Sequence, residues 1–209
     1  MHHAGIRGIR VNLYKYGAMH EIELQKSTLI EHATVLKIHC PGWSMAFTHV
    51  HPEFWGRLGS IIEEIVQSGV KVVTDHFALL KASSMLPPEY KSDITAQPGF
   101  GDILSLVRSG KLYIKISAPY RISEMKPNYS DVRPLVEAFV NANPRQVLWG
   151  SDWPHTPRMR IRSDIEALEE TQFMEVNDYL WLRNLKSWLS DEEWDMIMIQ
   201  NPLRLYGVI

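Results

Sequence analysis

Five short β-like runs, each followed by a longer run of helical character, set the strongest limit on how this chain folds. The runs at 6–13 (IRGIRVNL), 43–49 (WSMAFTH), 70–75 (VKVVTD), 112–117 (LYIKIS) and 147–151 (VLWGS) are short and rich in β-branched or aromatic residues. Between them, apolar residues recur at helical spacing over 18–40, 52–68, 99–108 and 131–141, with Pro41-Gly42, Gly69 and Gly110 as stops. Residues 81–97 and 119–129 read as loops. From residue 163 onward the pattern predicts helix in at least three pieces. Ser190 before Asp191, Glu192 and Glu193 reads as an N-cap with an acidic first turn, and Asn201-Pro202 is expected to close the last helix.

Strands that alternate with helices imply a parallel sheet with crossover connections. The two candidates are an open doubly wound sheet and a (β/α)8 TIM-type barrel. A dinucleotide-binding sheet needs a glycine-rich turn after its first strand, and no GxGxxG occurs here. The polar residues that could carry chemistry sit instead at the ends of several strands: His49, His76, Ser117 with Arg121, and Asp152. That placement favours the barrel, whose sites gather at the C-terminal rim. Five βα units cannot close an eight-stranded ring, so the expectation is an incomplete α/β barrel in one domain over 1–209. A formal charge of −2 gives no reason to expect nucleic acid as a partner. No apolar run reaches the roughly 20 residues that span a bilayer, so no membrane partner is expected. Cys40 is the single cysteine, which rules out an internal disulfide and fits a reducing, cytoplasmic setting.

Strand parity orders the candidates. Leu148, Gly150 and Asp152 share one face, with Val147, Trp149 and Ser151 on the other. If Trp149 packs against helices, Asp152 points into the mouth, Gly150 leaves room beneath it, and Pro154 turns the chain so that Trp153 and His155 line the rim. A carboxylate there can act as general base on water or bind a metal. His76 can hydrogen-bond a carbonyl or ligate a metal. Arg121 offers a fork for a carboxylate, and Arg10, which shares a face with Gly8, is better placed for the mouth than Arg7. His49 and His51 are two imidazoles one residue apart at a strand end, an arrangement that zinc sites use.

The stretches GIRGIRVNL, VVTDHFA, QPGFGDILSLVRSGKLYIKISAPYR, VLWGSDWPH and NPLRLYG occur together in this order. Together they resemble the amidohydrolase superfamily of metal-dependent hydrolases, and within it the amidohydrolase-related branch that includes the 2-pyrone-4,6-dicarboxylate lactonases. The resemblance implies a (β/α)8 hydrolase whose strands four to eight are the five seen here. It implies Asp152 as the residue that activates water and His76 as the one that polarises the scissile carbonyl. Arg121, Arg10 and Arg7, with Tyr120 and Ser117 beside them, would hold a small anionic substrate. No cofactor is expected on the lactonase pattern; the alternative is a divalent metal such as zinc on His49, His76 and Asp152. The family's opening His-x-His strand has no counterpart here, so the N-terminal strands are expected to be missing. Two glycines of the family pattern, in DHxG and SGPYR, read Ala78 and Ala118 in this chain.

The function expected is therefore hydrolysis of a small carboxylated cyclic ester or a related C–O or C–N bond. The alternative is a catalytically inactive fragment or remnant that self-associates through its exposed sheet edges as a homo-oligomer.

Overall fold

The computed structural model describes residues 2–13, 19–157 and 168–207. Five parallel strands form one sheet in sequential order: β1 (Gly8–Arg10), β2 (Ser44–Ala46), β3 (Lys71–Thr74), β4 (Tyr113–Ser117) and β5 (Val147–Gly150). Each strand is shorter than its sequence run. Four helices connect them: α1 (Ile22–His39), α2 (Phe54–Gln67), α3 (Phe100–Arg108) and α4 (Arg133–Ala142). Register follows directly, with Gly8 opposite Ser44, Met45 opposite Val72, and Ser117 opposite Gly150.

Period-two alternation divides the sheet into two faces. Met45, Phe47, Val72, Ile114, Ile116 and Val147 face the helices and build the main core with Trp55, Leu58, Ile62, Ile103 and Phe139. Trp149 packs on this same core, as its parity predicts. The other face holds a small cluster of Val73, Tyr113 and Leu148, on which Leu205 and Tyr206 pack. The C-terminal helices thus cover the N-terminal part of the inner face and leave the C-terminal part open.

Three expectations need correction. The segment 81–97 contains three short 3₁₀ turns, at Ser83–Met85, Pro88–Tyr90 and Ile94–Ala96, and buries Ala82 and Leu86. Helix does not run from residue 163: residues 163–167 lie outside the described residues, 170–177 are irregular, and α5 spans Asp178–Trp188. Asn201-Pro202 does not end a helix. After α6 (Asp191–Asp195), capped by a reciprocal Ser190–Glu193 box, a π-helical turn (Met196–Gln200) leads straight into α7 (Asn201–Tyr206). The wide turn resets the hydrogen-bonding frame, so Pro202 falls in a first turn where a missing N–H is tolerated.

Asn201 is fully buried, and its amide donates to the carbonyls of Pro144 and Val147, both at 2.7 Å. It ties α7 to the start of β5. Asn201→Ala leaves two buried acceptors unsatisfied, so it should lower unfolding free energy by about 2–4 kcal/mol in urea titration. A loss under about 0.5 kcal/mol would mean that these bonds contribute little to holding α7 in place.

Candidate active site

The C-terminal ends of the strands meet around an open cavity of about 970 Å³, lined by Arg10, Asp75, His76, Lys115, Ser117, Trp149, Gly150 and Asp152 among others. Asp152 follows β5 directly and has a left-handed backbone, φ 61°. Its Oδ2 accepts from the Tyr120 hydroxyl at 2.6 Å and from Arg121 Nε at 3.0 Å. Its Oδ1 lies 3.7 Å from His76 Nε2. Burial alone would raise the pKa of Asp152, but the Tyr120 hydroxyl, His76 and Arg121 together hold it below the usual carboxylate value. The group is an anion at neutral pH with one oxygen fixed and the other turned to the cavity.

His76 reaches the site by an unusual route. Its parity with Val72 and Thr74 would send it to the helix face. Instead His76, Phe77, Ala78 and Leu79 all take left-handed φ, between 53° and 60°, and this reversed turn swings the imidazole under Asp152. Ser117 Oγ accepts from the His76 backbone N–H at 3.3 Å and lies 2.9 Å from its Nδ1. A Ser117 hydroxyl that donates to Nδ1 puts the imidazole proton on Nε2, the nitrogen that faces Asp152 and the cavity. Burial lowers the His76 pKa to about 4, despite the opposing pull of Asp152 and Asp75, so the ring is neutral at pH 7.

The remaining candidates fall into place around this pair. Arg10 lines the cavity with its side chain 62% exposed, and its Nε lies 3.6 Å from Asp75. Arg7 lines it too, but its guanidinium donates to the carbonyls of His2 and Ile6. Tyr120 and Arg121, expected to bind substrate, are not among the cavity-lining residues; they hold Asp152, and Arg121 also donates to Thr156. Ser117 lines the cavity, and its hydroxyl contacts both the backbone N–H and Nδ1 of His76. Trp153 projects into solvent and His155 is buried against Asp178 at 2.9 Å, so neither lines the cavity.

The alternative metal set does not assemble. His49 has the parity of Met45 and Phe47, which carries it to the helix side, where it stacks on Phe54 at 4.5 Å. Its Nδ1 accepts from the His51 N–H and its Nε2 lies 3.0 Å from the Gln25 amide nitrogen, so both ring nitrogens are engaged. Among the described residues no group of three His, Cys, Asp or Glu side chains could hold a metal ion.

Two residues that line the cavity were not singled out from the sequence. Asp75 shares the inner face with Val73, and Lys115 shares it with Ser117; the alternation that singled out Asp152 would have found both.

Comparison with known proteins settles the lineage. Residues 1–208 match the family model described as amidohydrolase. The chain belongs to the amidohydrolase family. Among curated members of that family, it is 29% identical over 219 residues to a 2-pyrone-4,6-dicarboxylate hydrolase of Comamonas testosteroni, covering 99% of this chain and 61% of that protein. It is 27% identical over 150 residues to a 4-sulfomuconolactone hydrolase of Hydrogenophaga intermedia, covering 72% of this chain and 43% of that one. A crystal structure from Pseudomonas putida, assigned as a 2-pyrone-4,6-dicarboxylic acid hydrolase, superposes with TM-score 0.65 at 21% identity, covering 99% of this chain and 65% of that one. One from Acinetobacter baumannii with citric acid bound gives 0.64 at 22%, covering 99% and 66%. The sheet therefore corresponds to part of an amidohydrolase-type barrel, and the chain spans less than two thirds of these relatives. No helix among the described residues is long and apolar enough to cross a membrane.

Ala78 and Ala118, where the resemblance implies glycine, both lie at positive φ, at 53° and 50°. A left-handed alanine costs about 1–2 kcal/mol. Ala118→Gly removes that strain, but loses a buried methyl worth about 0.8 kcal/mol and adds about 0.5–1 kcal/mol of chain entropy. The terms cancel, so stability should stay within about 0.5 kcal/mol of wild type. Ala33→Gly, in the middle of α1 and equally buried, relieves no strain and should cost about 2 kcal/mol. Equal losses in urea titration would mean that residue 118 is unstrained.

Proposed function

We propose that this chain carries the water-activating and carbonyl-polarising part of an amidohydrolase-family hydrolase acting on small anionic lactones. One observation carries the reading: a carboxylate oxygen and the Nε2 of a neutral imidazole lie 3.7 Å apart at one cavity, each group with its other polar atom tied by neighbours. A water on Asp152 Oδ1 has its base beside it. The scissile carbonyl oxygen on His76 Nε2–H has a donor aimed at the charge that develops on attack. Asp152 takes the proton from water as the new C–O bond forms. The negative charge that builds on the carbonyl oxygen is met by His76, and collapse of the tetrahedral intermediate expels the ring oxygen, which receives the proton from Asp152. Tyr120 and Arg121 keep the carboxylate oriented, and Arg10 offers a cation to an acidic substituent. The named relatives support the substrate class, since both names denote lactones that bear acidic groups.

Hydrolysis of 2-pyrone-4,6-dicarboxylate, followed by loss of pyrone absorbance, tests this. Asp152→Asn should lower kcat by on the order of a thousandfold and His76→Asn by on the order of a hundredfold. Because His76 stays neutral until about pH 4, the wild-type rate should be flat from pH 8 down past 6.5. Wild-type turnover in Asp152→Asn, or an inflection near pH 6.5, would remove the mechanism.

A second reading, an inactive remnant that self-associates, draws on a different observation. Among the described residues β1 pairs only with β2 and β5 only with β4, and Ile6, Val35 and Ile38 are exposed beside β1. Unpaired parallel edges template association. Sedimentation equilibrium of the pure chain should then show a dimer that Val35→Lys with Ile38→Lys converts to monomer. A monomeric wild-type chain sinks this reading.

A further inference from the structure

Lys115 and Asp75 both line the cavity, and the proposed mechanism uses neither. Lys115 sits on β4 two residues before Ser117, on the same side, and its Nζ is 2.9 Å from Asp75 Oδ1. Arg10 approaches the other oxygen, Oδ2, at 3.6 Å. One buried carboxylate thus stands between two cations. The charges in the wall do not balance. Asp152 is matched by Arg121, His76 is neutral, and Asp75 can neutralise only one of Lys115 and Arg10. Lys115 is the more buried of the two cations, and Arg10, with its side chain 62% exposed, meets the same carboxylate from the solvent side. The surplus positive charge faces an open cavity beside the reacting pair.

Space has been left for the lysine. Gly150 lies across from it, and a Cβ built at Gly150 would stand 4.0 Å from Lys115 Cδ and 3.5 Å from Ser117 Cβ. A longer side chain there would extend into the room around the ammonium. Burial acts to deprotonate Lys115, but Asp75 and the Tyr206 hydroxyl outweigh it, so the group is a cation. An ammonium has three N–H donors. Asp75 takes one and the Tyr206 hydroxyl a second, which leaves the third for a ligand in the cavity.

We propose that Lys115 is a ligand-binding residue that, with Arg10, holds a carboxylate of a compact polycarboxylate, while Asp75 is the counter-ion that spaces the two cations. This deepens the anionic-substrate reading above and rests on it. The geometry makes Asp75 a negative regulator of affinity: it holds Lys115 in place, and it also competes with the ligand for the same ammonium.

The test is calorimetric titration of the full chain with citrate, with triethyl citrate as the uncharged control. Citrate should bind and the ester should not. Lys115→Met should weaken citrate binding roughly tenfold or more, and Lys115→Arg should stay within a few fold of wild type. Asp75→Asn should bind citrate more tightly than wild type, because both cations are then uncompensated. That variant keeps the proposal open to refutation if Lys115→Met does not fold, as judged by circular dichroism. Unchanged affinity in Asp75→Asn would mean that Lys115 is only a structural partner of Asp75, and would overturn the proposal. If Arg10→Met weakens binding and Lys115→Met does not, the anion-binding cavity stands and the role of Lys115 falls. If the wild-type chain binds no citrate, the proposal for Lys115 falls, while the hydrolase reading stands or falls by the turnover of 2-pyrone-4,6-dicarboxylate.

Discussion

All five strands run the same way, so their C-terminal ends meet along one rim, and the rest of the site depends on that alignment. In a parallel sheet the residue that follows each strand is delivered to the same edge. Arg10, Asp75, Ser117 and Asp152 come from four different strands and are separated by up to 142 positions in sequence, yet they surround one cavity. None of these residues needs a long loop to reach it. The helices of the outer layer supply the stiffness, through a core in which Trp55, Leu58, Ile62 and Phe139 are fully buried.

The chemistry of the site is then decided by which polar atoms are already occupied. Asp152 has one oxygen held by a phenol and a guanidinium, and His76 has one nitrogen held by a serine. Each group is left with a single atom directed to the cavity. Such one-sided satisfaction fixes orientation without exhausting the functional group. It also sets the protonation states in opposite senses. The carboxylate is kept ionised by its donors, and the imidazole is kept neutral by burial.

Much of this was readable before the fold. Alternation along VLWGSD placed Asp152 on the inner face and Trp149 on the helices, and both positions hold. The same rule applied to VVTDH would have found Asp75 but would have sent His76 the wrong way, because parity assumes that the strand continues. Only the left-handed turn brings His76 inward, and DHFAL carries no glycine to announce it. His49 failed as a metal candidate for the reverse reason: parity holds for it, and the shared face is the helix side. The contacts of Tyr120 and Arg121 with Asp152 were out of reach, since each bridges more than 30 positions of sequence. The π-helical turn before Pro202 likewise leaves no local mark that distinguishes it from a helix end.

The reversed turn at residues 76–79 has a consequence for how the site comes into being. Nothing in the local preferences of His, Phe, Ala or Leu favours four successive left-handed residues. The conformation must be imposed from outside, by Ser117 on the neighbouring strand and by the burial of Phe77 against Phe139 and Trp181. Trp181 belongs to α5, a hundred positions later in the chain. His76 therefore acquires its working position only when distant parts have already docked. His76 precedes Ser117, Phe139 and Trp181 in the chain, so during synthesis its imidazole emerges before the neighbours that place it.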